Sequence, residues 1–407
     1  MTIIDGGVTA AKGFKAANTA AAIKYKDRDD MAMIVSEEPC VAAGTFTKNV
    51  VKAAPVIFDR ELVNSGRAVH AIVCNAGIAN ACTGEEGFSY CIQTSDAVSK
   101  ALGTVEGSTL VASTGVIGFQ LPMDRIKSGI DALSKNLSDT REAANKAARA
   151  IMTTDTKPKE VAVQFELDGR TVTIGGMCKG SGMIHPNMCT MLSFITTDAK
   201  ISHDMLQKAL SATVEDSYNM ISVDGDTSTN DTCVIIANGL ADNEEIVSQD
   251  ASYDTFVEAL MEVNTTLAKM MAGDGEGATC LFEVKVVNAA SVEEAKILSK
   301  SVVTSSLTKA AIYGHDANSG RILCALGYAG IEFDPTRIDI YFESANGKVQ
   351  VIKDGMYAEY SEDEATKVLT SDAVTAICDM HRGEASATAW GCDLTHEYVS
   401  INADYRS

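Results

Sequence analysis

Proline, histidine and basic residues are scarce in this chain, and each scarcity removes a class of protein. Six prolines among 407 residues provide no proline-rich linker of the kind that spaces independent domains. The six histidines show no HxxxH spacing and no Cys/His cluster, which argues against a zinc site. The eleven cysteines contain no CxxC pair. Scattered in this way, they read as reduced thiols, mostly in the core, and not as a disulfide framework. Lys and Arg number 34 against 55 Asp and Glu, a formal net charge of −21. That balance opposes binding to nucleic acid or to an anionic membrane, and no clustered Lys/Arg tract offsets it. No apolar run approaches the length of a membrane span. The opening MTIIDGGVTAAKGF lacks the basic-then-apolar order of a signal peptide. The expectation is a cytoplasmic protein that needs no metal or cofactor and has neither nucleic acid nor membrane as a partner.

What is present is an ordinary globular composition, 46% hydrophobic and 22% charged, long enough for two domains or one large α/β domain. Leu110 to Gly118 reads as a strand entering a turn. Ser138 begins a helical pattern that runs to about Met152, with Ser138 as its N-cap. Val161 to Leu167, Asp168-Gly169 and Thr171 to Ile174 carry a hairpin signal. Thr190 to Thr197 reads as a buried strand, followed by a helix from about His203. Tyr253 to Met271 and Val292 to Ala311 read as helices, and Thr279 to Val287 as a strand. Ile338 to Glu343 and Val349 to Ile352 flank Asn346-Gly347, a second hairpin. Ser386 to Tyr405 alternates like one or two strands. Hairpins outnumber βαβ units, so the sheets are expected to be mostly antiparallel.

One segment concentrates chemical interest: Lys179-Gly180-Ser181-Gly182-Met183-Ile184-His185-Pro186-Asn187-Met188-Cys189-Thr190-Met191-Leu192. Two glycines, a proline and an asparagine make an irregular loop that runs into an apolar strand. A hydroxyl delivered to the start of a rigid strand suits a nucleophile. Taken alone, the same residues also describe a glycine-rich turn with a structural threonine.

The segment resembles the cleavage site of the ornithine acetyltransferase family, also called glutamate N-acetyltransferase, of arginine biosynthesis. The resemblance extends along essentially the whole chain. It includes Gly6 to Phe14 (GGVTAAKGF), Val51 to Val56 (VKAAPV), Ala79 to Gly84 (ANACTG) and Ser113 to Gly118 (STGVIG). It continues through Met152 to Thr156 (MTTDT), Ser222 to Asp231 (SVDGDTSTND), Gly275 to Thr279 (GEGAT) and Tyr398 to Ser407 (YVSINADYRS). Departures are Cys189 where alanine is usual, Ala76 and Ile78 in a stretch that is usually more polar, Ser319 for tryptophan and Cys280 for lysine. The cysteine side chain is small, so cleavage is expected to survive at a changed rate.

The resemblance implies an α/β sandwich of two central, mostly antiparallel sheets with outer helices, of the N-terminal-nucleophile type. It implies self-cleavage between Cys189 and Thr190 into residues 1–189 and 190–407, assembled as α2β2. It implies further that Thr190 takes acetyl from N2-acetylornithine and passes it to glutamate. The new α-amine of Thr190, with an ordinary pKa near ~7.7–8.0, acts as base beside its own hydroxyl. Thr114 and Gly115 would form the oxyanion hole. Thr153, Lys179, Glu276, Asn402 and Ser407 would bind substrate, Lys179 meeting an α-carboxylate and Glu276 an ammonium. The family includes members that also use acetyl-CoA as donor, and the sequence leaves that co-substrate open.

Two other readings follow from the same residues. An N-terminal-nucleophile amidase or aminopeptidase would pass the acyl group to water, and fold alone does not separate it from a transferase. A nucleotide-binding module would use Gly180-Ser181-Gly182 or Gly273 to Gly277. The first is a bare GxG, and the second lacks a following Gly-Lys-Ser/Thr and carries two acids that repel phosphate.

Overall fold

The structure, a computed structural model, describes residues 1–185 and 191–403. Its strands in chain order are β1 (Thr2–Ile4), β2 (Phe14–Thr19), β3 (Met31–Phe46), β4 (Val69–Ile78) and β5 (Thr109–Val116). There follow β6 (Lys159–Leu167), β7 (Arg170–Lys179), β8 (Leu192–Thr197), β9 (Ile221–Ser222), β10 (Thr232–Ala237) and β11 (Leu281–Ala289). The last are β12 (Asp339–Ser344), β13 (Gly347–Lys353), β14 (Met356–Tyr357), β15 (Ala373–Asp379) and β16 (Ala385–Cys392). The helices are α1 (Ala54–Asn64), α2 (Gly84–Leu102), α3 (Met123–Lys135), α4 (Arg141–Ala150), α5 (His203–Glu215) and α6 (Ala251–Gly273). The remainder are α7 (Val292–Thr304), α8 (Ser306–Tyr313), α9 (Ser319–Gly327), α10 (Glu362–Leu369) and α11 (His396–Ala403).

These elements form two compact units, each with its own sheet. The first comprises residues 1–180, 186–219 and 227–267. Its sheet runs β1-β6-β7-β8-β10-β3-β4-β5, with β2 also on β3. The long β3 serves two sets of neighbours. Its second half pairs with β10 and its first half with β2 and β4, with a register shift between Val35 and Cys40. Among the described residues the pairings are antiparallel except β4–β5 and β8–β10. The central strands are apolar on both faces, as strands covered on both sides must be. Ala71 and Val73 of β4 join Ile126, Ile130 and Leu133 of α3 in one core. Ile72 and Cys74 join Ala143, Ala144, Ala147 and Ala148 of α4 in another. The alanine stripe at helical spacing is what lets α4 lie close on its sheet.

The second unit comprises residues 181–185, 220–226 and 268–407. Its sheet runs β14-β13-β12-β15-β11-β16-β9, mixed but mostly antiparallel. Helix α7 buries Ala295, Leu298 and Val302 and packs on β11 and β16. The chain is thus α/β with two mixed, mostly antiparallel sheets and packed helices, as expected.

The hairpin β6–β7 turns at Asp168 (φ 51°) and Gly169 (φ 73°), the left-handed pair a type I′ turn demands. The α4 cap is Thr140, not Ser138: its hydroxyl accepts from the Ala143 amide at 3.3 Å. Ser138 instead sits 3.0 Å from Thr140 Oγ1 and pairs its backbone with Ala16. The expected helix over Val292 to Ala311 is broken at Ser305, which caps α8 through Thr308. The strand expected from Thr190 begins at Leu192, and Thr190 itself lies outside the described residues. The C-terminal stretch is a strand only to Cys392; from His396 it is the helix α11. Its alternation did not reflect a buried face, since α11 buries no residue.

Candidate active site

In the first unit, strand register gathers four of the singled-out residues. Lys179 ends β7 and lies opposite Leu192, the first residue of β8. Lys179 is 8% exposed, and its ammonium donates to Thr153 Oγ1 at 2.8 Å and to Thr114 Oγ1 at 3.4 Å. An ammonium has no acceptor. Both hydroxyls therefore receive from Lys179, and each keeps its own hydrogen to donate elsewhere.

Thr114 and Gly115 sit near the end of β5, opposite Ala76 and Gly77 of the parallel β4. Gly115 has φ 126°, and a Cβ there would fall 2.2 Å from the Gly77 carbonyl carbon. Only glycine permits this approach. The backbone just before Thr114 is pinned by Asn230, whose Nδ2 donates to Ser113 O at 2.8 Å and Ala79 O at 2.6 Å. Ser113 in turn donates to Asn75 Oδ1 at 2.7 Å. A Thr-Gly pair fixed this way can present a hydroxyl and an amide together, which is the requirement for holding an oxyanion.

Asp155 underlies this arrangement and was not singled out from the sequence. Its carboxylate is fully buried. Oδ1 accepts from Lys159 Nζ at 2.7 Å and from the Gly180 amide at 2.7 Å; Oδ2 accepts from the Thr153 amide at 3.0 Å. Lys179 Nζ stands 3.8 Å from Oδ2. Burial pushes the carboxyl up, but Lys179, Lys159 and the hydrogen bonds outweigh it and hold it well below the usual carboxylate range. These five residues come from a turn, the start of β6 and the end of β7, and no short sequence pattern joins them.

In the second unit, Glu276 and Asn402 meet directly: Asn402 Nδ2 donates to Glu276 Oε2 at 2.7 Å. Glu276 is 6% exposed, and its amide donates to Ser181 O at 2.8 Å. Its carboxylate packs on Gly182, where a Cβ would fall 2.4 Å from the Glu276 carboxyl carbon. The glycines around it serve packing. A Cβ on Gly275 would meet Cys392 Sγ at 2.7 Å, and one on Gly277 the Tyr398 amide nitrogen at 2.7 Å. Both approaches leave no cradle for phosphate in this loop, in line with its acidic character. Asp224 caps the Met183 and Ile184 amides at 2.6 and 2.9 Å. Burial, then the charges of Asp224 and Glu276, push the Tyr398 phenol up. His185 Nδ1 lies 3.1 Å from Ser222 Oγ, and burial followed by the Lys300 charge takes its imidazole down to about 4.

Cys189, Thr190 and Ser407 lie outside the described residues. Among the described residues, no group of three or more His, Cys, Asp or Glu is arranged to hold a metal ion. Among them too, no helix is long and apolar enough to cross a membrane.

Comparison with known proteins gives a consistent result. The family model described as "ArgJ family" matches residues 15–407. An "Arginine biosynthesis bifunctional protein ArgJ 1" of Clostridium acetobutylicum is 50% identical over 394 residues, covering 97% of this chain and 96% of that protein. The "Arginine biosynthesis bifunctional protein ArgJ" of Thermotoga neapolitana is 50% identical over 397 residues, covering 97% and 99%. The protein of that name from Caldanaerobacter subterraneus subsp. tengcongensis is 48% identical over 407 residues, covering 100% of both chains.

Proposed function

This chain belongs to the ArgJ family of arginine-biosynthesis enzymes, and from that premise we propose that it transfers acetyl from N2-acetylornithine to glutamate through an acetyl ester on Thr190. The observation that carries this reading is the Lys179 ammonium set between two hydroxyls, one of them on the Thr-Gly pair. It supplies a cation for an amino acid's carboxylate next to donors for a developing oxyanion.

Thr190 first releases itself. Its hydroxyl attacks the Cys189 carbonyl, the peptide becomes an ester and the Thr190 amine is freed, and water then hydrolyses the ester to the Cys189 carboxylate and the Thr190 hydroxyl. That amine then takes the hydroxyl proton as Thr190 Oγ attacks the acetyl carbonyl of acetylornithine. The negative charge on the tetrahedral oxygen falls to the Thr114 hydroxyl and the Gly115 amide. Collapse expels ornithine, whose nitrogen collects the proton. Glutamate's amine then attacks the ester and leaves as N-acetylglutamate. Lys179 holds the α-carboxylate of donor and acceptor in turn, with Thr153 beside it. Glu276, steadied by Asn402, receives ornithine's side-chain ammonium, and Ser407 contributes from the C-terminus. No cofactor is required by these steps. The site is proposed to work in the cytoplasm, in an α2β2 assembly of the 1–189 and 190–407 fragments.

The first unit's sheet supports retention of both fragments after cleavage. Strands β8 and β10, from beyond position 190, pair with β7 and β3 from before it. Mass analysis of the purified protein tests the proposal, with fragments 1–189 and 190–407 and an acetylated Thr190 fragment in the presence of acetylornithine as the expected result. An intact chain would overturn it, and so would free acetate as the product instead of N-acetylglutamate, which would favour the amidase reading. We propose acetyl-CoA as a second donor, a co-substrate that the family resemblance leaves open. Acetyl-CoA and glutamate without acetylornithine should then yield N-acetylglutamate.

A further inference from the structure

Resting on the reading of Lys179 as a carboxylate ligand, we infer that Lys159 is a positioning residue: by neutralising Asp155 it keeps the Lys179 ammonium on the hydroxyl side of the cluster, where a substrate carboxylate can meet it. A lysine at the start of β6 would ordinarily project to solvent, yet Lys159 is 1% exposed. Its ammonium lies 2.7 Å from Asp155 Oδ1, four residues earlier in the chain. A buried ion pair is a poor way to gain stability, because apolar residues of similar volume often do as well or better. Its position beside Lys179 gives it another use.

The geometry shows what that use is. Asp155 takes three short donors, Lys159 Nζ and the amides of Gly180 and Thr153. Lys179 stands at 3.8 Å from the same carboxylate, beyond hydrogen-bond distance, and directs its short contact at Thr153 Oγ1, 2.8 Å away. A desolvated carboxylate that loses its partner attracts the nearest remaining cation strongly. A lysine's four-carbon stem allows a shift of about an ångström without backbone change. Without Lys159, the Lys179 ammonium therefore moves onto Asp155 and leaves Thr153, Thr114 and the substrate carboxylate behind. Both substrates carry that carboxylate, so both lose affinity together.

The test compares Lys159→Gln, Lys159→Arg and the double variant Asp155→Asn/Lys159→Gln as full, processed enzymes. Lys159→Gln should raise KM for acetylornithine and for glutamate in parallel by about tenfold, the scale of one charge-assisted contact, with a smaller change in kcat. Lys159→Arg should retain most of the affinity for both. The double variant should recover most of the KM lost in the single one, because Asp155 no longer competes for Lys179. A merely structural Lys159 would make the second lesion add to the first. Unchanged KM in Lys159→Gln, or a double variant no better than the single, overturns the inference. If the single variant does not fold, the double decides alone: KM raised about tenfold over wild type for both substrates overturns it. Lys179→Ala, assayed alongside, separates the two claims. If it leaves both KM values unchanged, the carboxylate reading fails. If it raises them and Lys159→Gln does not, only the positioning role fails.

Discussion

Gly115 and Gly77 face each other across the parallel strands β5 and β4 so closely that a Cβ on Gly115 would lie 2.2 Å from the Gly77 carbonyl carbon. With φ at 126° as well, Gly115→Ala meets both a steric clash with backbone and a strained dihedral. Each costs roughly 1–3 kcal/mol. The variant should unfold at markedly lower denaturant, by roughly 2–6 kcal/mol in all. A urea melt of wild type and variant measures this, and an unchanged midpoint would refute the close approach.

Thr114 separates kcat from KM. Its hydroxyl accepts from Lys179 and so keeps its hydrogen for the oxyanion, a contact that strengthens only in the transition state. Thr114→Ala should lower kcat by roughly 10²–10³, the usual cost of one oxyanion donor, with little change in KM. Thr114→Ser, which keeps the hydroxyl, should recover much of the rate. Steady-state kinetics with both substrates reads the difference, and the lines should be parallel in double-reciprocal plots, since a covalent intermediate separates the half-reactions.

Glu276 should discriminate between the substrates. Acetylornithine carries an extra ammonium and glutamate does not, so Glu276→Gln should raise KM for acetylornithine by roughly ten- to a hundredfold, the range for hydrogen bonds to charged groups. Glutamate should respond less. Gln retains an oxygen for Asn402, so the variant probes charge with little disturbance to α11. Equal effects on the two substrates would remove Glu276 from the ornithine-binding role.

His185 gives a pH dependence of known sign. Burial and the Lys300 charge hold its imidazole down to about 4 against an ordinary 6.5, with Asp226 opposing them. Between those values the unfolded chain binds the additional proton, so the contribution to stability is full above about pH 6.5 and is lost as pH falls towards 4. His185→Gln should therefore show a smaller drop in Tm between pH 7 and pH 5 than the wild-type protein. An equal or larger drop would contradict the buried neutral imidazole.

Much of this fold could be read locally. Asp168-Gly169 set the β6–β7 hairpin because the type I′ turn requires two left-handed residues, and α5 and α6 lie where the sequence reads as helical. Other boundaries were ambiguous at the same scale. Ser138 and Thr140 are both competent caps two residues apart, and the backbone pairing of Ser138 with Ala16, far away in sequence, left the role to Thr140. From His396 the stretch alternates without burying a residue, and its helix is held by Thr395 to Gly277 O at 2.8 Å and Asn402 to Glu276 at 2.7 Å.

The sequence by itself determined the chemistry on offer: the family, the Thr-Gly pair of β5, the Lys179 to Leu192 segment, and an acidic chain without a basic tract. Those follow from which residues occur in which order. Only the tertiary structure decided that Lys179 points at Thr114 and Thr153, that Asp155 and Lys159 lie beneath it, and that Asn230 pins the strand before Thr114. Apart from the local Asp155–Lys159 pair, these contacts join residues 24 to 117 positions apart. They depend on strand register and on the desolvation of buried charges, which neither local propensity nor spacing records.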